Sequence, residues 1–349
     1  MTDKLITDPS PSLRTSHWNV VGHEWAVDML KKHVVNGTTR HAYLFAGPPG
    51  LGRRTLALRF AQALNCQTPV EAGIPCGACR DCKGIEAMQH PDLTVVQAES
   101  EGGTLKVDQI REARRTLTLK PYQAKYRVAL FLRFQEANDS ASNALLKTLE
   151  EAPSYAVLIL TADHPEQLLP TIVSRCEVLR LRPLKLEAIE KDLESRVVES
   201  GKARLIAHIS GGRPGYARRL IESDSLLERR EEQLNDLGRL LAASRVEKFA
   251  YADKLARDKD SMRQALLVWL SYWRDVMLRT THARTSLVNV DRNVEIESMA
   301  ATTSLSESRR VVSSLEKALE QMERNVNPRL LAEVLLLDFP KSSDDFSRP

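Results

Sequence analysis

Over the first half of the chain, short apolar runs alternate with stretches whose apolar residues recur at helical spacing; beyond about Leu184 the runs stop and only helical spacing remains. The runs lie at Tyr43–Ala46, Leu93–Val96, Val128–Leu132, Val157–Leu160 and Val178–Leu181. Strands separated by helices predict a parallel α/β sheet. Thr55 to Asn65 places Leu56, Phe60 and Leu64 in helical register. Ala141–Glu151 sets Ala144, Leu145, Leu149 and Ala152 near one face and stops at Pro153. Residues 184–224 read as a small helical module broken at Gly211-Gly212-Arg213-Pro214-Gly215. Residues 225–340 read as helical throughout, with Trp269 and Trp273 four apart as core residues. That region ends in the apolar stripe Leu330, Leu331, Val334, Leu335 and Leu337, which spacing leaves open between internal packing and contact with a neighbour.

The chemistry of greatest interest follows the first strand. Gly47-Pro48-Pro49-Gly50-Leu51-Gly52-Arg53-Arg54-Thr55 has the outline of a phosphate-binding loop set between a strand and a helix. A working loop carries lysine and then a hydroxyl after its last glycine, for the β/γ-phosphates and for magnesium. Here Arg53 stands at the lysine position and Arg54 at the hydroxyl position. Arginine is a poor substitute for a compact ammonium, and a second long cation supplies no oxygen to a metal. Both open a helix whose dipole disfavours cations, so they are expected to turn outward to solvent or to acidic groups, with capture of a phosphate-type anion without metal as the alternative. The strand Val128–Leu132 also lacks the acidic pair that such an ATPase needs at its end, since no acid follows until Glu136. Two independent losses of metal ligands predict that Gly47, Gly50, Gly52, Arg53, Arg54 and Thr55 retain the scaffold of a nucleotide site without its reaction.

Cys66, Cys76, Cys79 and Cys82 are clustered with turn residues Pro75, Gly77 and Gly84. Four thiolates at these spacings fit a closed, structural Zn²⁺ site. His90-Pro91-Asp92, nearby, reads as the turn into the next strand. Lys and Arg exceed Asp and Glu by 50 to 46, and the resulting +4 is too small to argue for nucleic acid. No apolar run reaches membrane-spanning length, and Met1 to Ser16 lacks a signal-peptide core, which predicts a cytoplasmic chain. Residues 1–16 and 341–349 have the composition of disordered tails.

Several segments together resemble the bacterial DNA polymerase III clamp-loader family of AAA+ ATPases. They are Val21-Gly22-His23, His41-Ala42-Tyr43-Leu44-Phe45, the four-cysteine insert, His90-Pro91-Asp92, Val107-Asp108-Gln109-Ile110-Arg111, Asn143-Ala144-Leu145-Leu146-Lys147-Thr148-Leu149-Glu150-Glu151 and Thr171-Ile172-Val173-Ser174-Arg175-Cys176. Asn325-Val326-Asn327-Pro328-Arg329-Leu330 is similar to the family's last collar helix. The broken loop and missing acids resemble the family's non-hydrolysing delta′ type; its gamma/tau motor type keeps both.

The resemblance implies an α/β then all-α architecture: an AAA+ domain over 17–183 with a zinc module at 66–82, a helical lid over 184–224 and a helical collar over 225–340. It implies that Arg175, flanked by Ser174 and Cys176, acts as an arginine finger in trans on ATP held by a neighbouring subunit. Cys176 reads as a small buried residue rather than a nucleophile. The family's lid sensor arginine falls at Gly215, with Arg213 and Arg218 close by. Implied partners are the gamma/tau and delta subunits, the sliding clamp and primed DNA, with no ATP bound by this chain itself. Two other functions are weighed against this: a gamma/tau-like ATPase with a degenerate working loop, and a stand-alone zinc-containing nucleic-acid binder.

Overall fold

The computed structural model describes residues 18–100, 102–323 and 326–340. Both tails read from composition, and Asn325 of the last motif, lie outside the described residues. The chain forms two compact units, one made of 18–189 with Gly212–Tyr216, the other of Glu190–Gly211 with 217–340.

The first unit is a five-stranded parallel sheet between helices. Its elements are α1 (Glu24–Val35), β1 (Ala42–Ala46), α2 (Arg53–Asn65), α3 (Arg80–Glu86), β2 (Leu93–Val96), α4 (Val107–Thr118), β3 (Arg127–Phe131), α5 (Asp139–Glu150), β4 (Ala156–Ala162), α6 (Pro170–Val173) and β5 (Glu177–Arg180). The strand order is β2-β3-β4-β1-β5. Strands β1, β3 and β4 are buried along their whole length, which explains why they read as unbroken apolar runs. Side chains alternate between two cores. Tyr43, Phe45, Val128, Leu130 and Ile159 join Leu56 and Phe60 on one face, while Leu44, Ala129, Phe131 and Leu158 join Ile110 and Leu145 on the other.

All five predicted strands are present, with ends differing by a few residues. β4 runs from Ala156 to Ala162 because Thr161 and Ala162 continue the pairing with Phe45 and Ala46. Helix α5 starts at Asp139, ahead of the apolar period, because the Asn138 side chain caps it by accepting the Ala141 N–H at 2.8 Å.

After β5 the elements are all helical: α7 (Leu186–Glu194), α8 (Ser200–Ser210), α9 (Pro214–Glu222), α10 (Asp224–Ala242), α11 (Arg245–Leu255), α12 (Lys259–Thr280), α13 (Asn293–Thr302), α14 (Leu305–Glu323) and α15 (Pro328–Asp338). The second unit packs around α12, whose Met262, Leu266, Trp269, Trp273 and Val276 are buried in one cluster with Leu315, Leu335 and Phe339. Both tryptophans are therefore core residues, as their spacing suggested. The α15 stripe divides: Leu331 and Leu335 are buried, whereas Leu330, Val334 and Leu337 face outward.

Candidate functional site at the carboxyl rim of the sheet

Because β4 lies between β1 and β3, the residues that follow these three strands converge on one rim, where ligands of open α/β sheets bind. The glycine-rich loop leaves β1 there. Gly47 donates its N–H to Ala162 O at 3.1 Å, and a Cβ on Gly47 would stand 2.6 Å from Leu181 O, so only glycine lets the chain turn. Gly50 has φ +86° and its carbonyl accepts the Gly215 N–H at 2.8 Å, with Tyr216 packed beside it. Gly52 then caps α2. The predicted strand–loop–helix is thus present.

The two arginines of the loop part company. Arg53 turns inward: it is buried, and its Nη1 lies 2.7 Å from Asp163 Oδ1, just beyond β4. This corrects the expectation of solvent for that residue and fulfils the alternative of an acidic partner. Arg54 is exposed and touches Met88 Sδ. Thr55 is half-buried one turn into the helix. At the end of β3, Leu132 is buried, and Arg133 takes a left-handed φ of 51° while donating its N–H to Thr161 Oγ1 at 2.9 Å. Its Nε meets Glu136 Oε1 at 2.8 Å, so the acid nearest the strand end serves an internal cation. Asp163 is the rim residue that spacing did not disclose; an acid directly after an apolar strand beside the loop strand was its only signal.

Further along the unit, Arg175 follows the short α6. Its Nη1 donates to Thr171 O at 2.9 Å and its Nη2 to Glu150 Oε1 at 2.7 Å, while the side chain stays 37% exposed. Ser174 Oγ bonds Thr171 O. Cys176 is half-buried rather than fully buried, and burial pushes its thiol up to about 12, which removes it as a nucleophile. Of the residues near the lid sensor position, Gly215 engages Gly50, Arg213 stacks over Tyr216 with Cζ 4.8 Å from the ring centre, and Arg218 lies 3.7 Å from Asp192.

The four cysteines meet between α2 and α3. All four Sγ atoms lie within 4.8 Å of one another, with Cys66–Cys76 at 3.5 Å and both Cys66–Cys79 and Cys76–Cys82 at 4.0 Å. A tetrahedral ion bound at about 2.3 Å by four sulfurs has edges of about 3.8 Å, so the set fits a metal. The N–H groups of Cys76, Ala78, Cys79 and Cys82 point at neighbouring sulfurs, as thiolates require. Hydrogen bonds from the Thr68 hydroxyl and the Cys79 and Ala78 N–H groups lower the Cys76 thiol to about 6, whereas burial raises those of Cys66 and Cys82. His90 is outside the set. It is buried against Asp81 at 3.2 Å and accepts the Asp92 N–H, confirming its place in the turn into β2. Asp92 in turn accepts the N–H groups of Tyr122, Gln123 and Ala124 and pairs with Arg127 at 2.9 Å.

No helix among the described residues is long and apolar enough to cross a membrane. Residues 22–185 match the family model described as DNA polymerase III, delta subunit, and residues 224–341 match that of its C-terminal part. The delta′ subunit of DNA polymerase III from Pseudomonas aeruginosa is 32% identical over 304 residues, covering 85% of this chain and 89% of the relative. That from Bacillus subtilis is 30% identical, covering 88% and 93%. The tau subunit of B. subtilis is 35% identical over 201 residues, but this chain spans only 35% of its length. Likeness to tau thus stops with part of the chain, while likeness to delta′ runs almost from end to end: the chain belongs to the DNA polymerase III delta′ subunit family.

Proposed function

We propose that this protein is a non-hydrolysing clamp-loader subunit which lends Arg175 in trans to ATP bound by a neighbouring gamma/tau subunit, and so helps load the sliding clamp on primed DNA. The observation that carries this reading is the contrast on one unit between a phosphate loop whose arginine is committed internally to Asp163 and an Arg175 that remains accessible. A guanidinium delivered only when subunits dock stabilises charge on the transferring phosphoryl group, which couples assembly to hydrolysis. ATP is not a ligand of this chain in that scheme: Arg53, Arg54, Leu132 and Arg133 offer no oxygen to magnesium. Gly47, Gly50, Gly52 and Thr55 serve as scaffold.

The ion suited to the cysteine set is Zn²⁺, with Cys66, Cys76, Cys79 and Cys82 as its four ligands. Such a site has no open position, so the metal's part is to fold the module between α2 and α3. Residues 17–183 act as the AAA+ domain, 184–224 as the lid and 225–340 as the collar that joins the delta and gamma/tau partners. The outward Leu330, Val334 and Leu337 support a collar role. The site of action is the cytoplasm.

The test is an assembled complex carrying Arg175→Ala. DNA- and clamp-stimulated ATP hydrolysis should fall by about 10³-fold or more at the affected site, the scale of a lost arginine finger. Assembly, followed by gel filtration, should persist. An unchanged stimulated rate would refute the trans role.

A further inference from the structure

We propose that Asp163 is the resident anion of the degenerate phosphate loop: its carboxylate occupies Arg53 and closes the loop to phosphate-bearing ligands. The proposal rests on the reading of an inactive loop and supplies the device that keeps it inactive. Register places it there. Ala46 pairs with Ala162, and Gly47 donates to Ala162 O, so the residue after β4 must stand beside the residue that opens the loop. Arg53 is the first residue of α2, where a working loop has its phosphate-binding lysine, and its side chain is nine-tenths buried with Nη1 2.7 Å from Asp163 Oδ1, a charge contact without hydrogen-bond alignment.

A loop of this kind attracts phosphate through N–H groups and one uncompensated cation. Here the cation is compensated. A phosphate reaching Arg53 would share one guanidinium with a carboxylate, and like charges that close together repel. An intramolecular competitor is also present at a high effective concentration, so weak anions cannot displace it. Two neighbouring cations are also engaged elsewhere: Arg133 pairs with Glu136, and Arg54 is turned outward onto Met88. The Gly50 carbonyl is already bonded to Gly215, so the tip of the loop is held in place as well.

Calorimetric titration of the full chain with inorganic pyrophosphate, and with ATP in EDTA, tests this directly. The wild type should be silent at millimolar ligand. Asp163→Asn, which keeps the shape and removes the charge, should bind at least about tenfold more tightly than any wild-type signal, and Arg53→Met in the same background should abolish the gain. A folded Asp163→Asn protein no better than wild type overturns the proposal, as does a gain that survives Arg53→Met. If Asp163→Asn is too unstable to titrate, melting decides. The double variant must then melt above Asp163→Asn, having removed a buried unpaired cation, and a double variant that melts no higher overturns the proposal. Saturable binding of magnesium ATP by the wild type would instead overturn both the inactive-loop reading and this proposal.

Discussion

Two arginines of the first unit hold carboxylates at the same distance, 2.7 Å, yet differ in almost everything else. The Arg53 side chain is 9% exposed and its partner Asp163 28%; Arg175 is 37% exposed and Glu150 53%. At fixed distance the strength of an ion pair depends on the effective dielectric around it. The inner pair is costly to separate because the Arg53 charge would be left poorly hydrated. The outer pair exchanges readily with water and salt and contributes about 0–1 kcal/mol. A phosphate group with more charge than Glu150 can therefore recruit Arg175, and the same group has little hold on Arg53. One residue type, at one separation, yields an interior group and a solvent-accessible one: the inner pair is buried without hydrogen-bond alignment, whereas the outer pair is aligned and exposed.

The comparison is broken most severely at its buried extreme, Asp92, which is 1% exposed. Burial opposes its ionised form, yet the N–H groups of Gln123, Tyr122 and Ala124, together with Arg127, outweigh it and hold the carboxyl below the usual range. Asp92→Ala leaves those N–H donors without their acceptor and Arg127 with only the Lys120 carbonyl, and should cost about 3–5 kcal/mol, read as a lowered urea midpoint. The sign with pH follows from the depressed folded value. The stabilisation is complete above the unfolded value of about 3.9, and is lost as pH falls through the lower folded value. Urea midpoints of wild type and Asp92→Asn should therefore converge on acidification below about pH 4 and stay apart above it. Parallel curves down to the lowest pH would show that the carboxylate's charge contributes nothing.

The four-cysteine cluster sharpens the contrast between fixed and exchangeable groups from another side. Cys82 is buried and Cys76 is not, although both belong to one ligand set. Removing the metal with a chelator should lower the melting temperature, and Cys82→Ser should mimic it, because a structural metal site contributes its binding energy to folding. Metal content measured on the purified protein should fall by one ion per chain in Cys82→Ser. A protein with no bound metal and an unchanged melt on chelation would remove the module from the structural account.

Legibility in the sequence followed the same division between local and long-range causes. The strands were plain because β1, β3 and β4 are buried on both faces, so apolar residues run unbroken. The loop and the cysteines were plain because their chemistry sits at short fixed spacings. Asp163 was not, because its tie to Arg53 depends on the Ala46–Ala162 register of the sheet, which no local spacing records. Nor could the α15 stripe be divided by period alone. Adjacent Leu330 and Leu331 are about 100° apart on a helix, and only the position of α11 and α14 determines which of them is covered.

Next in size is the inner arginine itself. Arg53→Ala leaves Asp163 without its cation, but that carboxylate is partly hydrated, so a loss of about 2–3 kcal/mol is expected, below the full cost of breaking a buried pair. Thermal melting of the isolated protein checks it. A loss under about 0.5 kcal/mol would place the pair in the surface class and erase the difference from Arg175.

The smallest effect belongs to Glu150→Gln, and it is the most informative about the outer pair. The glutamine keeps an oxygen able to accept from Arg175 but gives up its charge, and the site is open to solvent, so stability should change by no more than about 0.5 kcal/mol. Function should respond differently from stability. If Glu150 is a resting partner that a triphosphate must displace, its neutral form lowers that competition, and stimulated ATP hydrolysis by the assembled complex should hold or rise slightly at limiting nucleotide. If Glu150 instead positions Arg175 for the neighbour's phosphate, the rate should fall while the melt stays constant. The direction of that one rate change assigns the role: a rise makes Glu150 a placeholder, and a fall makes it part of the device that aims the arginine.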